Sequence, residues 1–239
     1  MTSDYLIVAN GPFLAKDIIA EASQNKIIVA LDGAAMKLQH RGLKPQVIIG
    51  DFDSITENEK QYLGIHHTNE QSTPYPGKHD TLIVPAYDQN FSDLEKAIHY
   101  CDKENAKSIT IVCATAGRLD HHEHVMNILR MHYKKNRPML LHTEQQTLRY
   151  AQDETIKMSG EAGDKCGISA TFTGKITTTG LVYDSTEKNS SLCNILQGSH
   201  ASITITGGAL LIMPPQLKSQ REFMKKSDRE RLEILLRES

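Results

Sequence analysis

The sequence predicts an α/β chain: an N-terminal, mostly parallel, Rossmann-like sheet flanked by helices, followed by an all-β sandwich. Three observations predict it. Up to about residue 140, short apolar runs alternate with stretches of helical period. From about residue 145 the texture becomes short Thr- and Ile-rich runs separated by glycines. In the first part, carboxylate-rich segments follow directly on the apolar runs, and open α/β sheets bind ligands at such strand ends.

The elements follow in order. Tyr5–Ala9 reads as a strand, followed by the loop Asn10-Gly11-Pro12. Ile27–Leu31 is a second strand, ending in Asp32-Gly33-Ala34-Ala35, and Val47–Ile49 a third. Thr56 with Glu59, and Ser92 with Glu95, have the spacing of capping boxes and predict two helix starts. After Ser92, Leu94, Ala97, Ile98 and Cys101 form one helical face. Ile109–Cys113 is a fourth strand and Met139–Leu141 a candidate fifth. The segment His66–Lys78 reads as a long loop, with His66, His67 and His79 solvated. In the second part, strands are expected at Gly167–Thr173, Lys175–Tyr183, Ala201–Thr206 and Ala209–Met213, and Pro214-Pro215 ends them. The tail carries Leu232, Leu235 and Leu236 among many charges and reads as a mostly solvated helix. The expected division is 1–143 for the α/β domain, 144–215 for the sandwich and 216–239 for the tail.

Composition narrows the function classes. With 239 residues, 39% hydrophobic and 23% charged, the chain has the make-up of a globular protein. Its net charge of −2 gives no basic surface for nucleic acid or membrane. No apolar run approaches the roughly 18 residues of a membrane span, and the first residues lack a signal-peptide pattern. Cys101, Cys113, Cys166 and Cys193 form no close pair. A reduced, cytoplasmic setting is expected, without a cysteine zinc site.

The chemistry concentrates in four segments. Gly50-Asp51-Phe52-Asp53-Ser54 follows the third strand. Two carboxylates so close repel unless a cation neutralises them, which fits a hard metal such as Mg²⁺; a polar turn fits the pentapeptide equally well. Asp88-Gln89-Asn90-Phe91-Ser92-Asp93 opens the capped helix, with Asp93 in its first turn; alone it reads first as a helix start. Ala114 to His122 follows the fourth strand, and Arg118 offers a planar fork suited to phosphate. A plain turn with Asp120 as N-cap and Glu123 at N3 also fits. Asp32-Gly33 ends the second strand, where a turn again suffices. Taken together, these segments outline a divalent-metal and polyphosphate site. No Gly-x-x-x-x-Gly-Lys-Ser/Thr loop is present.

Asp32-Gly33-Ala34-Ala35, Gly50-Asp51-Phe52-Asp53-Ser54, Asp88-Gln89 with Ser92-Asp93-Leu94, and Gly117-Arg118-Leu119-Asp120-His121 stand in an order and spacing that resembles the thiamine pyrophosphokinase family. The likeness runs nearly to Pro214. It implies transfer of a pyrophosphoryl group from ATP to thiamine, with Mg²⁺, in a homodimer whose sites lie between subunits. It also implies roles. Asp51, Asp53 and Asp93 would hold the metal, and these three with Asp120 would be the catalytic carboxylates. Asp32, Gly33, Ser54, Arg118 and His121 would face the ATP phosphates. Gln89, Cys193 and Asn194 would hold thiamine. Asn90, Cys113, Ala116 and Cys193 depart from the family pattern, Ser92 stands where many members have Thr, and the chain has no tryptophan.

Two other readings remain at this stage. One is a metal-dependent phosphoesterase using Asp51, Asp53 and the Asp120-His121-His122 segment on Mn²⁺ or Mg²⁺. Against it, adjacent residues of a helix point about 100° apart, so His121, His122 and His124 cannot share one ion. The other is a thiamine- or nucleotide-binding module without turnover, motivated by Asn90 and Cys193.

Overall fold

A computed structural model describes residues 2–66, 73–115, 117–170 and 174–238, without the side chains of 229–238. His67, Ala116 and Thr173, and the side chains of Leu232, Leu235 and Leu236, lie outside the described residues. The chain forms two compact units, Met1–Ile128 and Leu129–Ser239.

The first unit runs β1 (Asp4–Val8), α1 (Lys16–Ala22), β2 (Ile27–Leu31), α2 (Ala34–Gln39), β3 (Val47–Gly50), α3 (Glu57–Leu63), β4 (Tyr75–Pro76), β5 (Leu82–Pro85), α4 (Asp93–Lys103), β6 (Ser108–Val112) and α5 (Leu119–Met131). Its strands lie in the order β6-β1-β2-β3-β5-β4. All pairings are parallel except β4 with β5. The apolar runs are buried along their length: Leu6, Ile7, Val8, Ile48 and Ile111 have no exposed surface, as expected of strands inside a parallel sheet. Both predicted capping boxes form, with the Thr56 and Ser92 hydroxyls accepting from the Glu59 and Glu95 N–H. On α4 the predicted apolar face of Leu94, Ala97, Ile98 and Cys101 is buried.

Two strands of this unit depart from the sequence reading. β5 is too short and too close to Pro85 to stand out as a run, and β4 lies inside the segment read as a loop. The start of α5 also differs. The helix begins at Leu119, so Asp120 lies inside its first turn and is not the N-cap.

The second unit contains β7 (Met139–His142), β8 (Thr147–Ser159), β9 (Lys165–Ala170), β10 (Lys175–Thr179), β11 (Ser190–Ile195), β12 (His200–Met213) and α6 (Lys218–Glu238). Its strand pairings β7–β8, β8–β12, β9–β12, β10–β12 and β9–β11 are all antiparallel. The two runs expected at Ala201–Thr206 and Ala209–Met213 are one strand. β12 continues through Gly207 and Gly208 with an extra residue opposite β8, a β-bulge. Gly207 takes φ +73°, and its N–H donates to the Asp153 carboxylate at 2.7 Å. A Cβ at Gly208 would overlap the Tyr150 ring hydroxyl. Before the bulge β12 pairs with β10, after it with β9. Alternate residues of these strands, among them Ile156, Ile168, Ile176, Ile203 and Leu211, pack one buried cluster. Strands β8 and β11 carry too many polar residues on their outer faces to have read as apolar runs.

Candidate active site

The site is built where the parallel strands end. Leu31 of β2 lies in register with Ile49 of β3, so the next residues, Asp32 and Gly50, stand side by side. A Cβ at Gly50 would overlap the Asp32 carboxylate. That carboxylate accepts from the Phe52 N–H at 3.0 Å and the Ser54 hydroxyl at 2.9 Å. Asp32, Phe52 and Cys113, each at or just beyond a strand end, have φ of +48°, +63° and +59°. Left-handed backbone at residues with side chains costs about 1–3 kcal/mol each, and such strain gathers at functional sites.

The carboxylates of Asp32, Asp51 and Asp53 lie within 4.8 Å of one another. Burial raises the Asp32 carboxyl to about 6, against the Ser54 and Phe52 hydrogen bonds, with Asp93 and Asp51 adding to the rise. For Asp51, burial also acts upward. Hydrogen bonds from Gln89 and the Asp53 N–H, with the Lys96 charge, outweigh it and hold Asp51 below the usual carboxylate range. Three clustered oxygen donors without nitrogen or sulfur suit a hard cation such as Mg²⁺.

This set differs from the expected one. Asp32, assigned to phosphate by resemblance, joins Asp51 and Asp53. Asp93 is outside the group and pairs with Lys96 at 3.0 Å. Gln89, expected on thiamine, donates to Asp51 at 3.0 Å. Asn90 closes a turn on Asp88, with its backbone and side-chain N–H both on Asp88 Oδ1.

Within the first unit a cavity of about 750 Å³ is lined by Asn10, Gly11, Asp93, Arg118, His121 and His124, among others. This is within the size range of small-molecule sites. The loop from Asn10 to Leu14 is fastened to Cys113: its carbonyl accepts from the Gly11 N–H at 3.1 Å, and its thiol sulfur from the Leu14 N–H at 3.4 Å. Burial pushes the Cys113 thiol up to about 11, so it stays protonated. Gly33 caps α2 beside the Asn10 side chain. Arg118 donates two hydrogen bonds to Asp120, at 3.1 and 2.6 Å, and this fork holds the exposed Asp120 carboxyl below its usual range. His124 contacts the Ser92 hydroxyl at 3.2 Å and the Glu95 carboxylate at 3.4 Å, tying α5 to the capping box of α4. Sequence reasoning passed over Asn10, Lys96 and His124. Asn10 had a signal, since its small-residue loop follows a strand directly.

In the second unit, Asn194 is 1% exposed. Its amide donates to the Tyr183 carbonyl at 2.8 Å and the Ser191 hydroxyl at 2.6 Å. Its carbonyl accepts from the Tyr183 and Ile195 N–H. The side chain therefore ties the Tyr183 turn to β11. Cys193 is exposed beside it, with φ +55°, in the irregular stretch of the β11–β9 pairing. Among the described residues, no helix is long and apolar enough to cross a membrane.

Comparison with known proteins identifies this arrangement. A curated thiamine pyrophosphokinase of Bacillus subtilis is 29% identical over 116 residues, 48% of this chain and 49% of that protein. The chain thus matches about half the length of that relative. Thiamine pyrophosphokinase 3 of Oryza sativa is 28% identical over 199 residues, 74% of this chain and 68% of that protein. Among solved structures, the Bacillus subtilis thiamine pyrophosphokinase superposes with a TM-score of 0.73 at 21% identity, covering 90% of this chain and all of that one. The Candida albicans thiamin pyrophosphokinase gives 0.73 at 17% identity, covering 90% of each. These two likenesses are of fold. The family model for the thiamin pyrophosphokinase catalytic domain matches residues 20–141, half of the sequence and every strand end described above except the first, and the chain belongs to that family.

Proposed function

We propose that this chain is a thiamine pyrophosphokinase, transferring a pyrophosphoryl group from ATP to the hydroxyl of thiamine and releasing AMP. The observation that carries the reading is the meeting of Asp32, Asp51 and Asp53 at adjoining strand ends, in a chain of this family.

Asp32, Asp51 and Asp53 are the residues that would hold Mg²⁺. The ion would supply charge neutralisation at the phosphate oxygens, the main demand of phosphoryl transfer. Ser54 and the Phe52 N–H fix the Asp32 carboxylate, and Gln89 fixes Asp51. Arg118 lines the cavity and presents a guanidinium to phosphate, oriented by Asp120. Held charged by Arg118, Asp120 is a weak proton acceptor, so orienting that guanidinium is its better-supported role. His121 and Gly33 belong to the same nucleotide side of the proposal.

The second unit is the sandwich-like, thiamine-binding and dimerising part of the proposal. Val182, Tyr183 and Leu192 are about half exposed or more, at 49%, 66% and 58%. They flank Cys193 and support a contact with a second copy. Asn194 supports the architecture of that surface more than direct ligand contact, because its amide is fully engaged. A cytoplasmic setting accords with four free cysteines, three of them buried. The phosphoesterase reading gains no support: among the described residues, His121, His122 and His124 form no metal-ligand group.

The test is AMP formation from ATP and Mg²⁺, with and without thiamine, at catalytic protein concentrations. Thiamine-dependent AMP is expected. ATP binding without AMP would replace this reading with the binding-module one.

A further inference from the structure

Four aspartates serve this site, and one lysine stands among them. Lys96 lies one helical turn after Asp93 on α4, and its ammonium meets the Asp93 carboxylate at 3.0 Å. The Lys96 side chain is 8% exposed and that of Asp93 35%. A nearly buried ammonium is costly unless paired, so this is not a solvated lysine on an outer helix face. Its charge also acts on Asp51, helping to hold that carboxylate ionised. Asp93 itself lines the cavity but stands outside the group formed by Asp32, Asp51 and Asp53.

Resting on the pyrophosphokinase reading, we infer that Lys96 is a positioning residue that keeps Asp93 out of the cation-binding set and cancels its charge. The cation is thereby left to Asp32, Asp51 and Asp53. Asp93 meets the cavity as half of an ion pair, and an anionic polyphosphate approaches a wall that would otherwise repel it. Lys96 therefore acts in opposite directions on the two ligands: it weakens the hold on a divalent cation and strengthens the hold on the nucleotide.

The experiment compares wild type with Lys96→Met, which keeps the apolar stem and removes the charge, and with Lys96→Arg, which restores the charge. Mn²⁺ alone is titrated and followed by electron paramagnetic resonance, and KM for ATP is measured at saturating Mg²⁺. In Lys96→Met, Mn²⁺ binds about fivefold more tightly and KM for ATP rises about fivefold or more, as expected for one charge lost near both ligands. Lys96→Arg returns both toward wild type. A merely structural role would weaken both together. Loss of both affinities, no change in either, or a wild type that takes up no Mn²⁺ would overturn the inference. Lys96→Gln gives the same readings should Lys96→Met not fold. Absence of thiamine-dependent AMP in wild type would instead strike the functional reading, and the Mn²⁺ titration would still judge Lys96.

Discussion

Asp32 and Asn194 are both buried polar side chains at irregular ends of strands, one in each unit, and they are used in opposite ways. Asp32 receives two hydrogen bonds and still stands within 4.8 Å of two further carboxylates. That arrangement holds like charges together and leaves them in want of a counter-ion. Asn194 has both amide donors and its carbonyl engaged inside its own unit, an arrangement complete without any ligand. The first unit therefore keeps its chemistry in unresolved electrostatics, whereas the second has converted its polar residue into architecture.

Three substitutions break or sharpen this contrast. The largest effect is expected at Gly50→Ala. Its methyl group overlaps the Asp32 carboxylate and displaces it, and a misplacement of about 1 Å in such a site costs about 100-fold in rate. Near-normal kcat in this variant would remove Asp32 from the machinery. Next comes Asn194→Ala, which leaves the Tyr183 and Ile195 N–H without their acceptor. A stability loss of about 2–4 kcal/mol is expected in urea unfolding. Unchanged unfolding together with a raised KM for thiamine would make Asn194 a ligand residue and erase the contrast.

The smallest effect is Asp32→Asn without metal. The folded Asp32 carboxyl is raised from 3.8 to about 6, so its protonated form is favoured by folding. That contribution is fully present below about pH 4 and is lost as pH rises through about 6. Above that range the metal-free variant should exceed wild type in stability, by on the order of 1 kcal/mol after solvent screening. Mg²⁺ should raise the Tm of wild type and leave that of Asp32→Asn nearly still. Equal Mg²⁺ shifts in both proteins would place the cation elsewhere.

Legibility in the sequence followed the same divide. β1, β2, β3 and β6 could be read because strands buried on both faces are unbroken apolar runs, and both capping boxes could be read because their spacing is local. β8 and β11 could not, since their outer faces are polar, and β12 looked like two strands because its glycines, which in fact make a bulge, imitate a turn. The aspartates were legible as a set, but their grouping was not. Whether Asp32 or Asp93 joins Asp51 depends on the β2–β3 register and on Lys96, neither of which is a property of the motif.

The position of β1 bears on how the chain reaches this state. β1 lies between β2, which begins with Ile27, and β6, which begins with Ser108. The Ser108 hydroxyl donates to Asp4 across 104 residues of sequence. A growing chain can pair β1 on one side early, but its other edge stays open until β6 has been made. At 5–20 residues per second, roughly 5–20 s of synthesis separate the two events. The first strand off the ribosome is thus among the last of its sheet to be closed, and over that interval Leu6, Ile7 and Val8 present an unpaired apolar edge of the kind that chaperones hold.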